Sequence, residues 1–341
     1  MPEQSNIMLH GGNVWQGADP AQWLDFSANL RPEGMPDWVR GILSSTISEA
    51  QYYPDTKQQA TIMGLAEYLG VSPACVLPFA GGLAAIDMVC RTARGRMIVE
   101  KITFGEYARR ALACRLPVAV RKGAGRILPG DTLFLCNPNN PTGGAVQKAR
   151  ALALYRSIRS AGARMCVDEA FIDFCPALTL RHEATQQSDL IVIGSLTKTL
   201  CVPGIRLGYL IAAPETINAF KPLCVPWALN SLAVALARAL PLHKEEMQRD
   251  AMRNTSRREQ LISSLVSLGA AVHPSQTNFV LADFKRPMDQ AVLNLQENGI
   301  LVRTCASFGL ESSFLRIAVK TEEQNARLIA ALKEALCAES V

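Results

Sequence analysis

One lysine in the sequence, Lys198, follows an apolar run at which a buried β-strand is expected to end. Ser195 lies three residues before it, and Arg206 lies eight residues after it. A lysine withdrawn from water has a lowered pKa, and its neutral amine is a nucleophile toward aldehydes. A hydroxyl and a guanidinium are groups that bind phosphate esters. This spacing predicts a site for pyridoxal 5′-phosphate (PLP), a phosphorylated aldehyde cofactor that bonds to a lysine.

A single lysine is more often a solvated surface charge, so the prediction depends on groups that follow other apolar runs. Gly81 and Gly82 open an expected helix, where backbone N–H groups can approach a phosphate. Asp168 follows a second run, and a buried carboxylate there suits a protonated pyridine nitrogen. Alone, the glycines are more often a turn, and Asp168 is equally well explained as a helix cap. Their common position after apolar runs favours one shared site.

The apolar runs alternate with segments of helical periodicity. The runs lie at residues 75–79, 96–100, 132–136, 164–168 and 190–193, and helical segments include 83–90 and 144–161. This alternation predicts an α/β fold with a largely parallel sheet flanked by helices. Ligands of such sheets bind at the carboxyl ends of the strands, where the polar residues are expected.

The length of 341 residues and the hydrophobic fraction of 49% predict a large core and two domains. Residues 1–36 contain many turn formers and are expected to form an N-terminal arm that packs with the smaller domain. The expected large domain, which binds PLP, spans residues 37–225. The expected small α+β domain spans residues 226–341.

The charge and cysteine patterns exclude several classes of partner. The net charge of +5 comes without a block of Lys and Arg, which argues against nucleic acid and suits small anionic substrates. The 10 cysteines are scattered without metal-ligand spacing, so we expect no metal and a reducing compartment. The sequence shows no signal peptide and no membrane-spanning run, which predicts a cytoplasmic protein without a membrane partner.

The Gly-Gly, Asn-Pro-Thr-Gly, Asp, Ser-x-x-Lys and Arg motifs resemble those of the fold type I PLP enzymes, in the class I/II aminotransferase branch. The resemblance covers essentially the whole chain. It implies that Lys198 bonds the cofactor, that Asp168 pairs with the pyridine nitrogen, and that Asn140 hydrogen-bonds the ring 3-hydroxyl. It also implies that Phe104 stacks on the ring. The groups that it assigns to the cofactor phosphate are the backbone of Gly81 and Gly82 and the side chains of Ser195 and Arg206.

The same resemblance implies a homodimer. Tyr53, in Tyr-Pro-Asp, matches a tyrosine that reaches the cofactor phosphate from the neighbouring subunit. A second copy of the chain is therefore the expected protein partner.

Two arginines and the N-terminal arm match substrate-binding positions. Arg316 matches the arginine that binds the substrate carboxylate, and Arg303 matches one that histidinol-phosphate aminotransferases use on phosphate. Outside the resemblance, each is as well explained as a surface residue paired with a glutamate. Residues 10–13 and 25–29 resemble the L-threonine-O-3-phosphate decarboxylases of cobalamin biosynthesis. That resemblance implies that His10 and Gly11 lie at the substrate phosphate and Asn29 near the carboxylate.

This resemblance implies a PLP-dependent decarboxylase of L-threonine O-3-phosphate. Phe171 stands where aminotransferases of the branch usually have tyrosine, and because the resembled decarboxylases also tolerate phenylalanine there, it favours decarboxylation. The loop at residues 80–84 lacks the usual acidic or hydroxyl side chain, which leaves backbone donors and the helix dipole to bind phosphate there. A histidinol-phosphate or related aminotransferase is the alternative. A non-catalytic PLP-binding regulator is a weaker alternative, because the sequence shows no helix-turn-helix region.

Overall fold

The computed structural model describes residues 10–16, 19–121 and 125–338. The α-helices are α1 (Asp37–Thr46), α2 (Gln59–Leu69), α3 (Gly82–Arg91), α4 (Glu106–Ala113), α5 (Lys148–Ser160), α6 (Arg181–Ala184), α7 (Pro214–Phe220), α8 (Ser231–Ala239), α9 (Lys244–Ser267), α10 (Asp289–Glu297) and α11 (Glu322–Ala338). The strands are β1 (Leu24–Asp25), β2 (Val76–Phe79), β3 (Met97–Val99), β4 (Val118–Val120), β5 (Thr132–Cys136), β6 (Arg164–Asp168), β7 (Leu190–Ser195), β8 (Gly208–Ile211), β9 (Ala271–Val272), β10 (Phe279–Asp283), β11 (Ile300–Leu301), β12 (Arg303–Thr304) and β13 (Phe314–Ala318).

A seven-stranded sheet has the order β2-β8-β7-β6-β5-β3-β4. The pairs from β7 to β4 are parallel, whereas β8 runs antiparallel to both β7 and β2. Leu133 and Leu135 pack into the core on one face of the sheet, and Phe134 and Cys136 pack into the core on the other. A strand with both faces buried reads as a continuous apolar run. The predicted α/β fold with a largely parallel sheet is confirmed.

The register of the central strands brings their last residues to one edge of the sheet. Cys136 pairs with Asp168, and Asp168 pairs with Ile193, so β5, β6 and β7 end close together. The chain then continues from β5 toward Asn140 and from β7 toward Lys198. The polar residues predicted to follow separate runs therefore meet at the carboxyl edge.

The C-terminal part contains an antiparallel sheet with the order β12-β13-β10-β9. The described part of the N-terminal arm joins this region, because β1 pairs in parallel with β11 and Phe26 is fully buried in the core beside it. Helix α8 packs instead against α1 and α2. The division into an arm, a large domain and a small domain at residues 36 and 225 remains a prediction.

Two further observations concern membrane-spanning helices and the cysteines. Among the described residues, none of the helices combines the length and apolar character that crossing a bilayer requires. All 10 cysteines are free thiols, and Cys75, Cys90, Cys136, Cys166 and Cys305 are buried. These five therefore pack as small apolar residues, whereas the other five are half-buried or exposed.

Candidate active site

A cavity of about 410 Å³ opens at the carboxyl edge of the seven-stranded sheet. It brings together most of the predicted site residues, although their roles remain predictions. Those that line it are His10, Gly11, Asn29, Gly82, Phe104, Asn140, Asp168, Ser195, Lys198, Arg206 and Arg316.

Lys198 lies just beyond β7, and its amine faces Ser195. Lys198 Nζ donates to Ser195 Oγ at 3.2 Å, and Ser195 Oγ is 2.9 Å from Thr197 Oγ1. Burial lowers the pKa of Lys198, and Arg206 acts in the same direction against the opposing charge of Asp168. A lowered pKa increases the neutral fraction of the amine, which is the form that attacks an aldehyde.

Asp168 ends β6 with its carboxylate buried against the cavity. Its Oδ2 accepts from Tyr107 Oη at 2.6 Å, and its Oδ1 accepts from the Ala170 N–H at 2.9 Å. Burial raises the pKa of Asp168, while both hydrogen bonds and the charge of Lys198 oppose the shift. A protonated ring nitrogen would supply the positive charge that these neutral donors lack. Asp168 therefore fits the pyridine end of PLP.

The other end of the cofactor fits a cradle at the start of α3. Gly81 has a φ of +84°, and a Cβ there would lie 2.6 Å from Arg206 Nη2. A side chain at Gly81 would therefore be strained and would also displace the guanidinium. A Cβ on Gly82 would lie 3.6 Å from the Cβ of Ser195. The helix N-terminus, the Ser195 hydroxyl and Arg206 together suit a phosphate.

Asn140 and two aromatic residues complete the expected ring site. Asn140 Oδ1 accepts from Arg316 Nη1 at 2.7 Å. Because a guanidinium only donates, the oxygen must face Arg316, which leaves Asn140 Nδ2 to donate to a ring oxygen. Phe104 lies edge-on to Tyr107, with ring centroids 5.6 Å apart. Phe171 is buried, and its ring centroid lies 5.3 Å from Lys198 Nζ. Its side chain has no polar atom and adds no hydrogen bond to the ring site.

Arg316 is buried and lines the main cavity. Its Nη2 donates to the carbonyl oxygen of Ser27 at 2.5 Å. Burial and then the charge of Arg303 lower the pKa of Arg316 to about 10. In the described part of the chain, two buried polar atoms of the lining residues lack a partner, Arg316 Nε and Asn29 Oδ1. Unpartnered buried atoms are costly, so these two are suited to a polar ligand.

The N-terminal arm places His10 in the lining of the same cavity. A Cβ on Gly11 would lie 2.0 Å from the Ser27 carbonyl oxygen, so the two backbones touch at a position that only glycine allows. The Gly12 N–H donates to Ser27 Oγ at 2.7 Å. Ser27 in turn donates to Asp25 Oδ1 from its N–H and its hydroxyl. Ser27 thus fixes the arm beside the cavity.

Arg303 lies outside the main cavity but lines a small adjoining one. This adjoining cavity of about 70 Å³ shares His10, Gly11 and Arg316 with the main cavity. Arg303 is buried, donates to Ser307 Oγ at 2.6 Å and pairs in register with Arg316 across β12 and β13. Neither arginine is therefore a surface residue.

Tyr53 does not reach this cavity from its own chain. It is 82% exposed, and its ring lies 4.9 Å from that of Trp227. Its assignment to the cofactor phosphate of a neighbouring subunit stays a prediction.

Two residues of α4 at the site were not singled out from the sequence. Tyr107 bonds Asp168, and Glu106 lies 3.1 Å from both His10 Nε2 and Arg109 Nη1. Both residues immediately follow the Phe104-Gly105 pair. Their position in the first helical turn after Phe104 was the signal in the sequence that could have placed them at the site. A tyrosine in a helix is, however, equally well explained as a packing residue.

Comparison with known proteins identifies the family. The model for the class I and II aminotransferases matches residues 21–332. The chain is 33% identical to threonine-phosphate decarboxylase of Salmonella typhimurium over 96% of each protein. It is 31% identical to histidinol-phosphate aminotransferase 1 of Pasteurella multocida over 98% of this chain and 95% of the relative. The fold matches the L-threonine-O-3-phosphate decarboxylase of Porphyromonas gingivalis with a TM-score of 0.84 at 24% identity, covering 91% and 98% of the two chains. The chain therefore belongs to the class I and II aminotransferase family and is a PLP-dependent enzyme.

Proposed function

We propose that this enzyme decarboxylates L-threonine O-3-phosphate to (R)-1-amino-2-propanol O-2-phosphate, as a step of cobalamin biosynthesis. The observation that carries the proposal is the pair of joined cavities with buried Arg316 in both and Arg303 in the smaller one. A substrate with a carboxylate and a phosphate would use both arginines. The identity to a threonine-phosphate decarboxylase supports the same choice.

Different residues of the chain have different roles in the proposed reaction. Bound PLP supplies a conjugated ring that accepts the electron pair of a bond broken at the substrate Cα. Lys198 Nζ, which donates to Ser195 Oγ, would bond the cofactor. Asp168 would hold a negative charge at the ring nitrogen, and Tyr107 orients that carboxylate. Ser195 and Arg206 would bind the cofactor phosphate at the start of α3.

Binding at both ends of the substrate selects the bond that breaks. His10, Gly11 and Arg303 would hold the phosphate, while Arg316 and Asn29 steer the carboxylate. The two contacts fix rotation about Cα, and this rotation decides whether the carboxylate or the hydrogen is placed to leave. Binding energy from the remote phosphate is then used to orient the reacting bond.

Incubation of the PLP-loaded enzyme with O-phosphothreonine and no keto acid should release carbon dioxide and aminopropanol phosphate in equal amounts. Decarboxylation needs no amino acceptor, so product should form without one. Mass spectrometry identifies the amine, and trapped carbon dioxide is counted in the same reaction. O-phosphoserine serves as a comparison, since one methyl group changes selectivity by only about 1–3 kcal/mol.

The alternative is a histidinol-phosphate or related aminotransferase, which the identity to such an enzyme from Pasteurella multocida favours. A parallel incubation with histidinol phosphate and 2-oxoglutarate tests it. Absence of carbon dioxide, together with a keto product that appears only when 2-oxoglutarate is added, would reject decarboxylation. It would leave the aminotransferase as the function.

Replacing Arg303 by alanine should weaken O-phosphothreonine binding about tenfold to a hundredfold, the effect of losing one charge-assisted contact to phosphate. Cofactor absorbance should change little, because Arg303 lines only the adjoining cavity. Two quantities are measured, the KM for O-phosphothreonine and the visible absorbance spectrum of the cofactor. Arg303→Lys, which retains a charge, is the matched variant in case truncation of this buried side chain harms folding. An unchanged KM in both variants would remove Arg303 from phosphate binding and leave the phosphate to the His10 arm and the other residues of the adjoining cavity.

The proposed assembly is a cytoplasmic homodimer. Tyr53, Trp227 and Val225 are exposed by 82%, 49% and 64%, and such apolar side chains are suited to a protein interface. In the proposed dimer, Tyr53 of each protomer binds the cofactor phosphate of the other.

A further inference from the structure

Glu106 is a buried carboxylate at the substrate end of the active site. Its side chain lines both the main cavity and the adjoining cavity. A carboxylate in this place repels a phosphorylated substrate unless neighbouring cations neutralise it. The partners of Glu106 therefore determine what it contributes.

One oxygen of Glu106 joins two different elements. Glu106 Oε1 lies 3.1 Å from His10 Nε2 of the arm and 3.1 Å from Arg109 Nη1, which is three residues later on α4. The Glu106 side chain is 9% exposed, whereas that of Arg109 is 51% exposed. The buried member of the group is thus the acceptor, and its two partners, His10 and Arg109, are the more exposed members.

The adjoining cavity has a cationic lining. Three guanidinium groups line it, those of Arg109, Arg303 and Arg316. Among the described lining residues, Glu106 is the one that carries a carboxylate. An excess of positive charge in a small cavity suits a compact anion with more than one charge, such as a phosphomonoester.

We propose that Arg109 binds the substrate phosphate directly and that Glu106 is a positioning residue, which holds Arg109 and His10 at the adjoining cavity. The proposal rests on the proposed function in taking a phosphomonoester as the substrate. Glu106 itself does not contact the phosphate. Its carboxylate fixes two side chains that would otherwise sample many rotamers, which lowers the entropy lost when the anion binds.

Two opposing effects follow when the carboxylate is removed, and they can be separated. Loss of its negative charge strengthens attraction of the anion, whereas loss of the shared acceptor releases His10 and Arg109. Glu106→Gln removes the charge but keeps an oxygen that accepts from both partners. Glu106→Ala removes the charge and the acceptor together. If positioning dominates, alanine weakens binding more than glutamine does.

Calorimetry on the PLP-loaded enzyme with O-phosphoethanolamine tests this, with ethanolamine as the unphosphorylated control. Glu106→Ala should weaken O-phosphoethanolamine binding about tenfold, and Glu106→Gln should weaken it less. Arg109→Ala should weaken it about threefold to tenfold, a smaller range because the side chain is half exposed. Ethanolamine binding should stay as in the parent enzyme. If both Glu106 variants bind O-phosphoethanolamine as tightly as the parent or more tightly, or if Arg109→Ala changes nothing, the proposal is wrong.

Two matched controls lie nearby but outside both cavities. Arg110 pairs with Asp87, and Glu100 pairs with Arg121, so Arg110→Ala and Glu100→Gln should retain the parent affinity. If Glu106→Ala fails to fold, Glu106→Gln and Arg109→Ala carry the test. Loss of O-phosphoethanolamine affinity in an enzyme that releases no carbon dioxide from O-phosphothreonine supports this proposal and rejects decarboxylation. Unchanged affinity in a working decarboxylase rejects this proposal alone.

Discussion

Lys198→Ala should abolish both the visible absorbance of lysine-bound PLP and all measurable turnover, while the protein stays folded. In the proposed function the amine is the group that bonds the cofactor, and alanine cannot replace it. Removal of one amine from the edge of a cavity leaves the apolar core intact, so the thermal transition should persist. The measurements are the visible spectrum, the product assay with O-phosphothreonine and the circular dichroism spectrum.

Lys221→Ala is the matched control, because Lys221 is exposed and lies outside the cavity. It should keep the visible absorbance and the activity of the parent enzyme. Borohydride reduction of the parent, followed by peptide mass spectrometry, should locate the cofactor on Lys198. If absorbance typical of lysine-bound PLP survives in Lys198→Ala, another lysine must carry the cofactor.

Asp168→Asn should keep the lysine-bound cofactor but lower kcat by roughly a hundredfold to a thousandfold, the range for losing one electrostatic contact in a buried site. Asparagine has nearly the same shape and still offers an oxygen to Tyr107. It lacks the negative charge that, in the proposed function, keeps the ring nitrogen protonated. The visible spectrum and kcat, measured on one preparation, separate cofactor binding from turnover.

Tyr107→Phe provides a graded comparison for this result. It removes the 2.6 Å hydrogen bond to Asp168 Oδ2 but leaves the charge, so its loss of kcat should be smaller than that of Asp168→Asn. Near-parent turnover in Asp168→Asn would remove Asp168 from the proposed role. Equal losses in both variants would attribute the effect to the orientation of the carboxylate rather than to its charge.

The strand ends were the predictable part of the site. A continuous apolar run predicts a strand with both faces buried, and the residue after such a run lies at the carboxyl edge of a parallel sheet. That rule brings Asp168, Ser195 and Lys198 together without knowledge of their side-chain contacts. The runs were continuous because Leu133 and Phe134, although on opposite faces, are both buried.

Contacts between distant segments were the part that residue patterns alone could not provide. The bond between Arg316 and Asn140 joins residues 176 positions apart, and it depends on how β13 is placed against the seven-stranded sheet. Tyr107 bonds Asp168 only because α4 is turned toward the end of β6. Helical periodicity identifies the buried side of a helix, but it does not identify the group that the buried side meets.

Ser27 links the two ends of the proposed substrate site thermodynamically. Its carbonyl oxygen accepts from Arg316 and touches Gly11, while its hydroxyl accepts from the Gly12 N–H. Any free energy with which an anion at Arg316 stabilises this arrangement also stabilises the seated arm, and the coupling is reciprocal. For the proposed substrate, the binding free energy then differs from the sum of the binding free energies of its separate carboxylate and phosphate fragments. In the proposed function, selectivity for a molecule that carries both groups arises from that difference.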